Sequence, residues 1–196
     1  MSTKQAILDR IRKHLPQATE LPALDLPAIT FPDPVAQFSE VLASVGGSCL
    51  SVAEDLAQAV RTLPCFASAR QIVCQVEGLP LGNKNLSEIA DPHDLNDVDL
   101  AIMPGDFAVA ENGAVWVSDR SVRHRAIYFL AQHLVLVVAR AHVIDNLHQA
   151  YARLEFAERG YGLFISGPSK TADIEQSLVI GAHGPRSLTV LVVGGL

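Results

Sequence analysis

Residues 48–76 read SCLSVAEDLAQAVRTLPCFASARQIVCQV. The run opens with the strand-like SCLSV (48–52) and continues into AEDLAQAVRTL (53–63), whose apolar residues recur at helical spacing. It closes on a second strand-like stretch, QIVCQV (71–76). Further apolar stretches of strand length follow at DLAIM (99–103), AVWVS (114–118), HLVLVVA (133–139), GLFIS (162–166) and SLTVLVV (187–193). Helical periodicity fills several gaps between them, notably 120–131 and 143–158. Strands that are continuously aliphatic, not alternating, have both faces buried, which is the habit of a parallel sheet covered by helices. The sequence therefore predicts an α/β domain with a mostly parallel sheet.

Ahead of this domain, Ser2 and Gln5 fit a capping box, and Ile7, Leu8, Ile11 and Leu15 fall on one helical face. Pro16, Pro22, Pro27, Pro32 and Pro34 then follow too densely for a regular element. Residues 1–34 are read as a short helix and a Pro-rich arm, and 35–196 as the α/β domain. The arm either lies on the domain or reaches a neighbouring copy, a route to a homo-oligomer. Asp33-Pro34 supplies a cap and first position for the next helix, with Val35, Phe38, Val41, Leu42 and Val45 inward and Gly46-Gly47 stopping it.

An apolar fraction of 49% against 18% charged residues suits a filled core. With net charge −6 and no Lys/Arg cluster, nucleic-acid and anionic membrane partners are not expected. LVLVVA (134–139) is far shorter than the ~20 residues of a bilayer span. MSTKQAILDRIRKHL has no apolar signal core, so a cytoplasmic location is expected. Cys49, Cys65 and Cys74 form no C-x-x-C pair, which argues against zinc or a four-thiolate iron–sulfur cluster held by this chain. No H-x-x-x-H spacing occurs among the histidines, so no metal site is expected.

In open α/β sheets ligands bind beyond the carboxyl ends of strands. Two turns after predicted strands stand out. The first is ISGPSKTADIE (165–175). Gly162 and Gly167 have P-loop separation, but Pro168-Ser169 intervene before Lys170-Thr171, and Pro168 removes an N–H donor. A Walker loop is excluded. The segment reads either as an anion site, with Ser166, Ser169 and Thr171 hydroxyls beside Lys170 at a helix start, or as a capped helix with Asp173 and Glu175 complementing its dipole. The second is DFAVAENGAVWVSD (106–119), where Asn112-Gly113 makes a tight turn after Glu111. That carboxylate reads as a base, nucleophile or hydrogen-bond acceptor, or as an ordinary solvated turn glutamate. GAHGP (181–185) adds a glycine-flanked His183 able to move a proton. Arg120, Arg123 and Arg125 cluster with His124, as a carboxylate site or a solvated helix start. No G-x-G-x-x-G follows a strand, so NAD or FAD binding has no support.

Taken together, ISGPSKTADIEQSLVIGAHGPRSLTVLVV (165–193) and AVAENGAVWV (108–117) resemble the LUD-domain family, with its GPS-[RK]-TADIE turn, G-x-HGP loop and AETGT-type loop. Residues 1–34 carry no such likeness. Where the family often has Glu-Thr-Gly-Thr, this chain has Glu111-Asn112-Gly113-Ala114, which loses two hydroxyls and keeps the hydrogen-bonding capacity of Asn112. The resemblance implies a Rossmann-like three-layer α/β/α fold similar to the sugar-phosphate isomerase and CoA-transferase-like group. It also implies a cytoplasmic role in oxidising L-lactate to pyruvate beside separate iron–sulfur subunits, with no cofactor on this chain. The matched loops are expected to meet at one cleft for a small organic acid or phosphate. Glu111 and His183 are its catalytic candidates, and Asn112, Gly113, Ser166, Gly167, Ser169, Lys170, Thr171, Asp173 and Gly184 its ligand-binding ones. A stand-alone isomerase or acyl/CoA transferase using Glu111, and a non-catalytic scaffold subunit, are the alternatives.

Overall fold

The computed structural model describes residues 3–16, 19–20, 27–120, 122–154, 160–172 and 178–194. Its strands are β1 (Ser48–Val52), β2 (Ile72–Cys74), β3 (Leu100–Pro104), β4 (Phe107–Val109), β5 (Ala114–Ser118), β6 (His133–Ala139), β7 (Val143–Ile144), β8 (Gly162–Ile165), β9 (Lys170–Ala172), β10 (Leu178–Ile180) and β11 (Ser187–Val193). Its helices are α1 (Thr3–Lys13), α2 (Pro34–Ser44), α3 (Leu56–Arg61), α4 (Pro64–Ser68), α5 (Ile127–Leu130) and α6 (Leu147–Arg153).

Five of the aliphatic runs form one parallel sheet in the order β1-β11-β6-β3-β2. The reason they do not alternate is visible in the packing. On β6, Leu134, Leu136 and Val138 enter one core while Val135 and Val137 enter the other. β3 divides in the same way, Ala101 and Met103 against Leu100 and Ile102. Both faces of these two central strands are dry, so their inner positions are apolar on either side. One face is closed by α3, α4 and the residues around them, through Leu56, Val60, Leu63 and Phe66. The other is closed by Val35, Phe38 and Leu42 of α2, by Ile127 and Tyr128 of α5, and by a second sheet.

That second sheet, in the order β7-β4-β5-β8, was not foreseen as a separate unit. β5 is antiparallel to both β4 and β8, so AVWVS and GLFIS lie outside the parallel sheet. Ala108, Val115 and Val117 face the main core, whereas Phe107, Trp116 and Phe164 stack on the other side, with Trp116 and Phe164 centroids 4.7 Å apart. The two sheets are joined where Gly105 N–H donates to Val137 O at 2.8 Å.

Asp33 caps α2 as expected, its carboxylate accepting the N–H groups of Val35 and Ala36 at 3.1 Å with Pro34 in the first turn. The end of the Pro-rich arm lies on the domain. Phe31 N–H donates to Asp145 Oδ1 at 2.9 Å, and Asn146 Nδ2 donates to Ile29 O at 2.7 Å. Ser2, of the expected capping box, lies outside the described residues. No helix among the described residues is long and apolar enough to cross a membrane.

Three helical expectations are corrected. Among the described residues of 120–131 only one helical turn, α5, forms, with Arg123 and His124 drawn away to the carbonyls of Ser87 and Ile89. α6 covers Leu147–Arg153 of the expected 143–158, of which 155–159 lie outside the described residues. The helix expected to start at Ser169–Thr171 is instead strand β9, paired antiparallel with β10 in the register Lys170↔Ile180 and Thr171↔Val179. Ser169 explains the switch: its N–H donates to Pro185 O and its C=O accepts Gly181 N–H, both at 2.9 Å, which commits the backbone to extended pairing. β-branched Thr171, Val179 and Ile180 suit that state.

The cysteines are free and dispersed. Cys49 on β1 and Cys74 on β2 occupy opposite edges of the five-stranded sheet, about 19 Å apart at strand spacing. Burial pushes the thiols of Cys49, Cys65 and Cys74 above their ordinary values, which disfavours thiolate.

At the start of β6, His133 Nδ1 lies 2.7 Å from Ser187 Oγ. Burial and then the charge of Arg186 lower its pKa from 6.5, with Asp99 opposing. The unfolded chain therefore binds this proton more readily, and stability is lost as pH falls through the ordinary imidazole range. His133→Gln should remove that component. Urea midpoints between about pH 7.5 and about pH 5.5 should fall more for the wild type than for the variant, and parallel profiles would refute the assignment.

Candidate functional site

Glu111 follows β4 and is held by main chain on both sides. Its N–H donates to Asp145 O at 2.9 Å, and its Oε2 accepts Leu147 N–H at 2.9 Å. The carboxylate thus caps the first turn of α6, beside Asn146, whose Oδ1 accepts Gln149 N–H at 3.0 Å. Asn112 Oδ1 accepts Ala114 N–H at 3.1 Å, the side chain closing the turn that the Asn-Gly pair promised. Gly113 completes it at φ +64°, and a Cβ there would sit 2.9 Å from Leu42 N and 3.0 Å from its Cα on α2.

The Gly-Pro turn presses on the same helix end. Gly167 has φ +75°, and a Cβ would approach Val45 O to 2.6 Å. Ser166 Oγ donates to Asn112 O at 2.9 Å, tying the two turns to each other. Gly184 lies against Ser169 so closely that a Cβ would meet Ser169 Cβ at 2.8 Å. The carboxyl end of α2, the Asn112 turn, the Ser166–Ser169 turn and the His183–Gly184 loop thus form one contiguous set.

Next to them opens a cavity of about 240 Å³. Ser166, Gly167, Pro168 and Ser169 line one side and His183, Gly184 and Pro185 another. The rest is apolar or aromatic: Tyr128, Phe129, Leu134, Leu163, Phe164, Ile165 and Leu188. Among the described residues, no Asp, Glu, Lys or Arg is in the lining. Burial, followed by the negative charges of Asp106 and Asp119, holds the Tyr128 phenol well above its ordinary value, so it stays a neutral hydroxyl. Ser166 and His183 are exposed, which marks the mouth.

Five of the residues singled out in the sequence therefore share this cavity: Ser166, Gly167, Ser169, His183 and Gly184. Asn112 joins them through Ser166. Glu111 and Gly113 do not line it; the first is turned toward α6 and the second is packed under α2. Lys170 and Thr171 stand on β9 beyond it, and Asp173 lies outside the described residues. With β9 in place of a helix, the amide cradle expected beside Lys170 is absent. The location also differs from the strand-end rule: Leu134 and Leu188 belong to the amino ends of β6 and β11, while Ser166 follows β8 of the second sheet. Tyr128, Phe129, Leu163 and Phe164 were not singled out, since their types read equally as core. The arginine cluster is structural in part: Arg123 and His124 hold backbone carbonyls, and Arg125 lies 4.8 Å over the Tyr161 ring. Among the described residues no group of His, Cys, Asp and Glu could hold a metal ion.

A parallel central sheet with helices on one face, and helices with a second sheet on the other, places the molecule in the Rossmann-like α/β class. A crystal structure of a DUF162 family protein from Deinococcus radiodurans shares this fold, with a TM-score of 0.61 over 85% of this chain and 100% of that one at 18% identity. The chain belongs to the LUD-domain family, whose model matches residues 84–193 and so takes in both turns and the His183 loop. Similar proteins include lactate utilization protein C of Geobacillus kaustophilus, 35% identical over 132 residues, 64% of this chain and 52% of that protein. The protein of the same name from Geobacillus thermodenitrificans is 33% identical over 131 residues, with the same coverage. The chain thus matches about half the length of these relatives.

Two stability measurements test this geometry. Gly113→Ala should cost at least about 2 kcal/mol, combining left-handed strain with the Leu42 contact. Gly78→Ala, at φ +72° with nothing within 4 Å, should cost about 1 kcal/mol; equal losses would show that α2 does not press on the turn. Glu111→Ala should cost about 0.5–1 kcal/mol through the lost cap, while Glu111→Gln keeps an acceptor for Leu147 N–H and most of the stability. Equal denaturation midpoints for wild type and Glu111→Ala would remove the capping role.

Proposed function

We propose that the chain is a lactate-utilisation protein, the cluster-free subunit of a cytoplasmic system that oxidises L-lactate to pyruvate, and that the cavity beside the Ser166–Ser169 turn receives an organic acid. The observation that carries this reading is the convergence of the family's two most specific segments, GPSK and HGP, on one hollow through the contact of Ser169 with Pro185 and Gly184. The names of the relatives supply the lactate connection. At the mouth, the hydroxyl of Ser169 can donate to a carboxylate, Ser166 Oγ, whose hydrogen is held by Asn112 O, can accept from the substrate hydroxyl, and His183 can exchange a proton with that hydroxyl. Redox chemistry falls to iron–sulfur clusters on partner chains, in keeping with thiols here that are dispersed and held protonated. α1 is the element suited to meet such partners: Ile7 and Ile11 are exposed on it, Leu15 is exposed just beyond its end, and Lys4, Arg10, Arg12 and Lys13 lie on the same helix.

The stand-alone transferase or isomerase reading is the weaker one, because the carboxylate it needs is engaged with Leu147 N–H outside the cavity. His183→Ala, on an exposed loop, should fold and still associate with the cluster-bearing chains. Lactate oxidation in extracts should nevertheless fall at least about tenfold. Wild-type lactate oxidation in that variant would overturn the reading, as would pyruvate formation by the purified chain alone.

A further inference from the structure

The cavity is poorly matched to the smallest acids. Its volume is about 240 Å³, whereas a dry cavity of about 150 Å³ is enough to take benzene. Leu134, Leu163, Ile165 and Leu188 give its interior an aliphatic lining, and Phe164 gives it an aromatic one. A three-carbon hydroxy acid seated at Ser166, Ser169 and His183 would leave most of that apolar surface uncovered. A free carboxylate would gain nothing by going deeper, because among the described residues no cation lines the interior and burying an unpaired charge is costly. The mouth is different. There Ser166 and His183 are exposed and Ser169 is half-buried, so a carboxylate placed among them keeps its contact with water. Polarity therefore grades outward, and hydrocarbon character grades inward.

We propose that this cavity binds monocarboxylic acids with a hydrocarbon part bulkier than a methyl group, such as branched-chain or aromatic 2-hydroxy acids, the tail inside and the carboxylate at the mouth. The inference rests on the reading of the cavity as the organic-acid site and specifies which acids it prefers. Phe129, exposed and lining the cavity, forms part of the apolar wall that receives the tail.

The test is calorimetric titration of the full chain with L-lactate, 2-hydroxy-4-methylpentanoate, 3-phenyllactate and the neutral 3-phenylpropane-1,2-diol. Emission of Trp116, the only tryptophan, reports independently, since its ring packs on Phe164 of the lining. Affinity should rise at least about tenfold from lactate to phenyllactate, as burial of the added hydrocarbon requires, and the diol should bind more weakly than phenyllactate. Phe129→Ala, a change at an exposed position, should weaken phenyllactate several-fold, and Leu163→Trp should abolish its binding by filling the space. If Leu163→Trp does not fold by circular dichroism, Phe129→Ala decides. Lactate binding as tightly as phenyllactate would overturn this inference and leave the lactate-utilisation reading standing. Failure of every acid to bind at millimolar concentration would overturn both. Phenyllactate binding unchanged in Phe129→Ala would place the ligand elsewhere and also overturn it.

Discussion

The carboxyl end of α2 sets the spacing on which the site depends. Leu42 and Val45 stand against two turns that come from distant parts of the chain, and each turn meets them with a glycine in the left-handed region. A side chain at either glycine would overlap main chain, so backbone contact limits the approach of helix to turn. Interactions of this kind do not adapt by changing rotamers. Because Ser166 also donates to Asn112 O, the helix end, the Asn112 turn and the Gly167 turn hold one another in place. The cavity is the space left beside that arrangement.

The helix end is itself fixed by the core. Phe38 and Leu42 are fully buried in the core that they share with the parallel sheet, with Ala108 of β4 and with Ala110 just after it. The second sheet in turn separates two tasks. Its inner face completes the main core, and its outer face carries the Phe107, Trp116 and Phe164 cluster that reaches the cavity wall. At β8 both faces reach the cavity, Leu163 and Ile165 from the side of the main core and Phe164 from the aromatic side.

Much of the fold could be read in the sequence, because burial on two faces writes itself into HLVLVVA and SLTVLVV directly, and Asp33-Pro34 is a local signal for a helix start. The hairpin at Lys170 could not. Ser-Lys-Thr-Ala followed by acids is a good helix beginning in isolation, and what overrules it is a pair of hydrogen bonds between Ser169 and the remote loop at 181–185. Glu111 misled for a related reason. A carboxylate on a tight turn looks available, and only the tertiary approach of Leu147, thirty-six residues on, engages it. The hydroxyls and His183 were legible as polar residues among glycines. Their apolar counterparts were not, since Leu163 and Leu188 look the same whether they line a core or a ligand site. The family motifs located the right loops, and packing decided which of their side chains meet.

Read together, these features describe a hollow with a polar mouth and no charged side chain among its described lining residues, held by the packing of two turns on the end of α2. Native-state hydrogen exchange examines that claim most directly, through the amide of Ala114, bonded to Asn112, and that of Ser169, bonded to Pro185. If the end of α2 clamps both turns as a unit, the two amides should lose protection with the same opening free energy and the same denaturant slope. Exchange of Ser169 through a separate, lower-energy opening that leaves Ala114 protected would contradict it.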